Sequence, residues 1–382
     1  MSRERQRRGE HARFRSILFT DTGTALEQQE PPYFADLNLV AVVDEITAGR
    51  REYDLKPFFY TRLSSVKEVT YRHEVMRDLR NVELYSFIAS FANGMAQMRE
   101  HLAQVDKQHH RYEKQAWLLA AIAAYCDAVT RLDEDLATAQ LRSRGFLAFR
   151  DYLGDYVRST VFATLQADTD QAREGLATVR YYLNIKGNRI KVSQYGAEVD
   201  YSAEIERTFE KFKQGAVKDY RVEFTELPYL NHVESEVLEL VARLYPEQFS
   251  TLEQYCQRHL DSLDAVVCTF DREVQFYTAY LDYVERLSAG GLEFCYPSVS
   301  NRSKEIGASQ TFDIALANKL VPKHRSIVCN DFHLTEPERI IVVGGPNQGG
   351  KTTFARMFGQ LHHLASIGCL VPGSAAKLYL CD

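Results

Sequence analysis

Eight consecutive residues carry the most specific chemistry in the chain: Gly345-Pro346-Asn347-Gln348-Gly349-Gly350-Lys351-Thr352. They fit G-x-x-x-x-G-K-[ST], the pattern of a phosphate-binding loop. Glycines let the backbone close around an anion with several N–H groups turned inward. Lys351 would reach the β- and γ-phosphates, and the Thr352 hydroxyl would hold Mg²⁺, with Thr353 completing the set. The cofactors this implies are ATP and Mg²⁺. Such a loop needs a strand before it and a helix behind it. Ile340-Ile341-Val342-Val343 is the short apolar, β-branched run expected of a buried parallel strand. Phe354, Met357, Leu361, Leu364 and Ile367 recur at helical spacing, and Gly368 is expected to stop that helix. The helix would add its positive dipole end to the loop.

The chain has 382 residues, enough for two or more domains. Its net charge of −6 and pI near 6.0 exclude a generally basic nucleic-acid coat but leave room for a local basic patch. Seven cysteines without any C-x-x-C pair point to neither a zinc site nor a disulfide framework. No signal peptide or long apolar span is present, and a reducing, cytoplasmic setting without a membrane is expected.

Residues 1–35 read as a tail carrying Arg3, Arg5, Arg7 and Arg8, with a packed strand expected near Ile17-Leu18-Phe19. Asp36 is expected to cap a helix that runs through Ile46 and stops at Gly49. Leu39 to Glu45 has the letters of a strand whose Asp holds Mg²⁺ and whose Glu polarises water. Its place far before the loop, and the helical spacing of Leu39, Val43 and Ile46, assign it to the helix instead. Phe58, Phe59 and Tyr60 read as core.

Helix is expected through Leu165, with one stripe of Leu118, Ile122, Tyr125, Val129, Leu132 and Leu136, beside which Trp117 buries. A second stripe takes Phe146, Phe149, Leu153, Val157 and Val161. His109 and His110 read as surface residues. The period then changes. Val179, Tyr181, Leu183 and Ile185 alternate, Gly187-Asn188 turns the chain, and Ile190 and Val192 alternate again, which predicts a β-hairpin. Arg180, Lys186, Arg189 and Lys191 lie on it with no acid among residues 180–191, a patch suited to nucleic-acid phosphates without sequence readout. Helix resumes near Ser202 with Ile205, Phe209, Phe212 and Ala216 on one face. Val237, Leu240 and Leu244 mark a returning helix, and helix continues from Leu252 to Tyr283. Gly290 to Asp313 reads as loop-rich, and Leu378-Tyr379-Leu380-Cys381 as a further strand.

The phosphate-loop stretch, Gly345-Pro346-Asn347-x-x-Gly350-Lys351-Thr352-Thr353, then a helix, then Gly368-Cys369-Leu370-Val371-Pro372, resembles the ATPase domain of the MutS family. That family usually has Met where Gln348 stands and often Ser for Thr352. Ile327 to Asp331 lies where the family places adenine, so Ile327 and Asn330 are the base contacts the resemblance implies, Ile327 standing in for an aromatic residue. A small β unit on two long helices resembles the family's levers and clamp, and Leu263-Asp264 its returning core helix.

The resemblance implies a mainly α fold. A helical core (36–143 and 226–312) carries long antiparallel lever helices (144–225) with a clamp hairpin at about 177–200. An incomplete α/β P-loop ATPase domain of ABC type (313–382) follows. It further implies a homodimer in the complete protein, enclosing ATP and gating a clamp on DNA. The family's Mg²⁺-holding Asp and water-activating Glu come on a strand after the loop. This chain alone is therefore expected to be truncated and not to hydrolyse ATP, and its catalytic residues stay unassigned. Phe224-Thr225-Glu226 has the letters of the family's mismatch wedge but lies beyond the clamp, so mismatch reading is not expected. The alternatives are a nucleotide-independent helical interaction module, or an ATPase acting on branched DNA or stalled ribosomes.

Overall fold

A computed structural model describes residues 14–20, 24–186, 189–196 and 232–380. The first helices are α1 (Tyr33–Asp36), α2 (Leu39–Thr47), α3 (Lys56–Tyr60) and α4 (Val66–Leu79). Long helices α5 (Val82–Lys107) and α6 (Arg111–Thr138) follow, then α7 (Arg144–Val157) and α8 (Thr160–Ala177). Strands β1 (Tyr181–Lys186) and β2 (Arg189–Gln194) lead to α9 (His232–Leu244), α10 (Pro246–His259) and α11 (Ala265–Ser288). The C-terminal part holds β3 (Phe294–Cys295), β4 (Ser298–Ser300), β5 (Ile306–Thr311), α12 (Ile314–Leu320) and β6 (Asn330–Leu334). It ends with α13 (Lys351–Ser366), β7 (Val371–Pro372) and β8 (Ala375–Tyr379). The fold is mainly helical with small sheets. The N-terminal arginines, the Gly187-Asn188 turn, the helix expected from Ser202, the Phe224-Thr225-Glu226 match and Cys381 lie outside the described residues.

The chain divides into two compact units. One comprises Met1–Asn93, Ala128–Ser159 and Leu263–Asp382; the other comprises Gly94–Asp127 and Thr160–Ser262.

In the first unit, α11 supplies the spine of the core. Asp264 caps its start, its Oδ1 accepting from the amides of Val266 (3.0 Å) and Val267 (2.9 Å). Phe270, Val274, Phe276, Tyr277 and Tyr280 are all buried along it, with Phe270 stacked on Phe149 of α7 at 3.4 Å and Phe276 against Phe59 at 4.7 Å. Phe58, Phe59 and Tyr60 are core as expected. Helix α2 buries Leu39, Val42, Val43 and Ile46. Its Asp44 pairs with Lys56 (2.6 Å) and its Glu45 with Arg286 (2.6 Å), so these acids serve as ion-pair partners on a helix. Asp36 does not cap α2. Pro31 accepts the Phe34 amide (2.9 Å) and starts the separate turn α1, which Asp36 ends, and Asn38 at φ 53° begins α2.

Ile17 and Leu18 are fully buried, but in a bend and not in a strand. Their polar groups are met by side chains instead of a ladder. The Ser16 hydroxyl lies 2.8 Å from Glu273 Oε1, the Ile17 amide donates to Glu273 Oε2 (2.8 Å), and Tyr277 donates to the Ile17 carbonyl (2.7 Å). Burial, opposed by these hydrogen bonds, raises the Glu273 pKa from the ordinary 4.5 to about 7. A carboxyl whose folded pKa lies above its unfolded one contributes stability that is full below about pH 4.5 and is lost as pH rises through 7. Between pH 5 and 8 the wild type should lose about 3 kcal/mol more stability than Glu273→Gln. Denaturant melts at the two pH values check this; identical pH profiles would refute it.

Strands β4, β8, β5 and β6 form one sheet in that order, β8 lying parallel to β4 and antiparallel to β5, with β6 at an edge; β3 and β7 pair separately. The expected strand near Leu378 is thus β8, with Leu378 buried, and the stretch read as loop-rich holds β3, β4 and β5. The strand expected at Ile340–Val343 is absent. Ile340 is 79 % and Val342 88 % exposed, and among the described residues no strand pairs with them. A parallel strand is stable only with ladder partners and covered faces; without them its amides and carbonyls stay with water.

Helix α6 buries its entire predicted stripe, from Leu118 to Leu136. The second stripe breaks at its last member. Because α7 ends at Val157 and α8 restarts at Thr160, Val161 is 67 % exposed, and Phe162 and Leu165 take the inward positions.

In the second unit, α8 packs on α10, with Thr169 Oγ1 2.9 Å from the Tyr255 hydroxyl and Asp168 Oδ2 receiving Arg258 (2.7 Å) and His259 Nε2 (2.8 Å). Val241, Ala242 and Phe249 form a small core joined by Tyr112 and Val192. Val241 and Ala242 are the buried residues of α9 and Val237 packs against them as expected, whereas Leu240, also expected there, is exposed. His109 is exposed, and His110 Nε2 lies 3.3 Å from Glu239. Among the described residues no helix is long and apolar enough to cross a membrane, no group of three or more His, Cys, Asp or Glu could hold a metal ion, and no disulfide joins the cysteines.

Candidate phosphate-binding loop and its supports

The loop runs straight into α13. Gln348 stands at φ 67° and Gly350, the helix N-cap, at φ 85°. In that left-handed conformation a Cβ would cost about 1–2 kcal/mol, which is the physical reason for glycine at 350. The Gly349 amide donates to the Pro346 carbonyl (3.1 Å), closing a tight turn, and the Phe354 amide donates to Gly350 (2.9 Å), opening the helical ladder. The first-turn amides of Lys351, Thr352 and Thr353 have no acceptor within a helix, so they lie at the positive end of α13.

Lys351 Nζ donates to the carbonyls of Gly345 (2.7 Å) and Pro346 (2.8 Å), which holds the ammonium over the mouth of the loop. These contacts are solvent-exposed. An ammonium can therefore exchange a neutral carbonyl for a phosphate oxygen and gain a charge-assisted bond. Thr352 is exposed at the same end. The exposed ammonium and hydroxyl at this end of α13 are of the types that fit a phosphate group and its Mg²⁺.

The far end of α13 is fixed in the core. Met357, Leu361 and Leu364 are buried. His363 accepts from the Tyr33 hydroxyl at Nδ1 (3.2 Å), and its Nε2 must carry the proton, because it faces the Phe59 carbonyl (2.9 Å). Burial lowers its pKa to about 4, so the ring is neutral. Arg72, fully buried, donates to the Ile367 carbonyl (2.8 Å). Gly368, at φ +67°, ends the helix as expected; a Cβ there would stand 3.0 Å from the Arg72 Cβ.

Between the two ends sits Asp313, the N-cap of α12. Its Oδ1 accepts from Ala315 N (2.9 Å), Leu316 N (3.1 Å) and Gln360 Nε2 (2.9 Å), while Arg356 grips its Oδ2. The Gln360 Oε1 in turn accepts from the Ile314 amide (2.9 Å). Sequence reasoning did not single out this network. The signal for it was an Asp directly before an apolar helix, with Arg356 and Gln360 four apart on α13.

The residues expected at the base are placed on β6 and just before it. Phe332 of β6 packs on Phe358 (5.1 Å) and Phe354 (6.1 Å) of α13, which brings the strand alongside the loop's helix. Asn330 lies in the β5–β6 ladder opposite Thr311, and Ile327 is half-buried. Among the described residues neither is hydrogen-bonded to the phosphate loop.

The hairpin pairs Lys186 with Arg189, Asn184 with Lys191 and Leu183 with Val192. Directly opposed residues share a face, so Lys186, Arg189 and Lys191 stand together with Tyr182 and Asn184. Arg180, one residue before β1, has the same parity. Val192, on the other face, packs on the core beneath α9. Lys186, Arg189 and Lys191 are exposed.

No family model matches the chain. It is 38 % identical over 84 residues to the DNA mismatch repair protein MutS of Orientia tsutsugamushi (strain Boryong), covering 20 % of this chain and 9 % of that protein. It is 41 % identical over 63 residues to that of Rickettsia typhi, covering 16 % and 7 %, and 45 % over 58 residues to that of Rickettsia rickettsii (strain Sheila Smith), covering 15 % and 6 %. The matches span less than a tenth of the length of these relatives. Over that stretch the chain is MutS-related.

Proposed function

We propose that the chain is the nucleotide-binding and DNA-contacting part of a MutS-like ATPase. The loop 345–353 binds Mg-ATP, and the basic face of the hairpin contacts DNA phosphates without reading sequence. The observation that carries this reading is Gly350, at φ 85°, opening α13 on Lys351, whose ammonium rests on the exposed Gly345 and Pro346 carbonyls, in a chain similar to MutS proteins over its matched stretch. When bound, the nucleotide supplies a phosphate anion and its Mg²⁺. Lys351 leaves two carbonyls to meet the phosphate, Thr352 holds the ion, and Ile327 and Asn330 flank the base. In the complete protein two copies enclose ATP, and the nucleotide shifts the clamp only by binding one of its positions more tightly than the other.

The hairpin half of the proposal is tested by salt dependence. Lys186→Glu/Arg189→Glu/Lys191→Glu should reduce the slope of log K against log salt by about 3, since each phosphate contact contributes about 0.9. Fluorescence anisotropy with a duplex at several salt concentrations measures this; an unchanged slope would remove the hairpin from the interface. A nucleotide-independent interaction module is the rival reading, favoured by the exposed apolar run at Ile340 and Val342. That rival predicts no thermal shift with Mg-ATP.

A further inference from the structure

Residues 14–19 sit in the first unit in the manner of a bound peptide. They form no helix or strand. Their polar groups are met by side chains from α4 and α11. Tyr71 donates to the Ser16 carbonyl (2.9 Å), Arg72 Nε to the Leu18 carbonyl (3.2 Å), Tyr277 to the Ile17 carbonyl, and Glu273 accepts the Ser16 hydroxyl and the Ile17 amide. Arg72, Glu273 and Tyr277 are each more than nine-tenths buried. The Ser16 Oγ also accepts from the amides of Leu18 (3.0 Å) and Phe19 (2.9 Å), which shapes the segment into a turn. Phe14 inserts against Phe149 at 5.0 Å, Ile17 and Leu18 fill the groove, and the Phe19 ring lies 4.9 Å from the Arg72 guanidinium. Residues 27–30, further along, are exposed.

Core segments usually satisfy their backbone through their own ladder or helix; a segment read group by group by foreign side chains is the arrangement of peptide recognition. We infer that the groove between α4, α7 and α11 is a peptide-binding site whose resident ligand is the chain's own Phe14–Phe19. It takes segments of the type aromatic-x-Ser-aliphatic-aliphatic-aromatic. The site also reaches the phosphate loop's helix. Arg72 holds the Leu18 carbonyl with one nitrogen and the Ile367 carbonyl, just past the end of α13, with another. Occupancy of the groove therefore fixes the anchored end of that helix. This inference concerns residues away from the loop and does not depend on nucleotide binding.

The test is to place a specific protease site within residues 28–30 of the full chain, cut it, and add a labelled synthetic peptide of residues 13–20. The nicked protein should remain folded, and the peptide should exchange with the resident segment and bind saturably. The same peptide with Ser16→Ala should bind about tenfold or more weakly, because a hydrogen bond to a buried carboxylate is lost. Amides of residues 363–370 should exchange faster when the groove is emptied and slow again when peptide is added. A segment that never exchanges, a nicked protein that unfolds on losing it, or an alanine peptide that binds equally well would each overturn the inference.

Discussion

Asp313→Ala should destabilise the first unit by about 3–5 kcal/mol, the usual consequence of removing one partner from a buried charge pair. Three separate losses act together. Arg356 keeps its charge while its carboxylate disappears. The Ala315 and Leu316 amides lose the acceptor that caps α12, about 1 kcal/mol by itself. Gln360 Nε2 loses one of its two acceptors and keeps only the Leu37 carbonyl (2.8 Å). Arg356 retains some access to water, its side chain being 20 % exposed, which places the expectation toward the lower end of the range. Arg356→Met in the same background should recover part of the loss, because the uncompensated charge goes with it. Denaturant unfolding measures both; a loss below about 1 kcal/mol for Asp313→Ala would show that α13 is held by its apolar face alone.

Lys351→Ala acts on ligand and not on fold. Its two carbonyl partners are at an exposed loop, so the variant should unfold within about 0.5 kcal/mol of the wild type. Its effect should appear with Mg-ATP. In the proposed complex the ammonium would supply charge-assisted bonds to phosphate oxygens, and removing it should weaken affinity by about a hundredfold or more. At a nucleotide concentration of about 100 times the wild-type Kd, ligand stabilisation should fall from about 2.7 kcal/mol to under about 0.5 kcal/mol. Thermal melts with and without nucleotide read this directly. Equal stabilisation of both proteins would place the nucleotide elsewhere.

The helices and the loop were legible because local sequence determines them. Gly350 takes up the left-handed turn into α13 without the cost a Cβ would carry, and the apolar stripes of α6 and α13 repeat where the helices bury them. The hairpin was legible from its alternation, and its register gathers the basic residues on one face. What failed depended on neighbours. Ile340–Val343 has a strand's composition, but a buried parallel strand needs strands on its flanks, and sequence composition carries no information about them. Val161 continued a pattern that a helix break at Arg158-Ser159 interrupts. Ile17-Leu18-Phe19 was legible as packed, yet not as a bend, because Glu273, Tyr277 and Arg72 lie far away in the sequence. The Asp313 network was missed for the same reason: a cap is visible locally, but its second partner arrives from α13.

Residues 345–353 are proposed to bind the phosphates of Mg-ATP. Amide hydrogen exchange with and without Mg-ATP, in the wild type and in Lys351→Ala, tests this most directly. Mg-ATP should slow exchange at the amides of 347–353 in the wild type and not in the variant. Unchanged exchange at those amides in a protein that nevertheless binds Mg-ATP would contradict it.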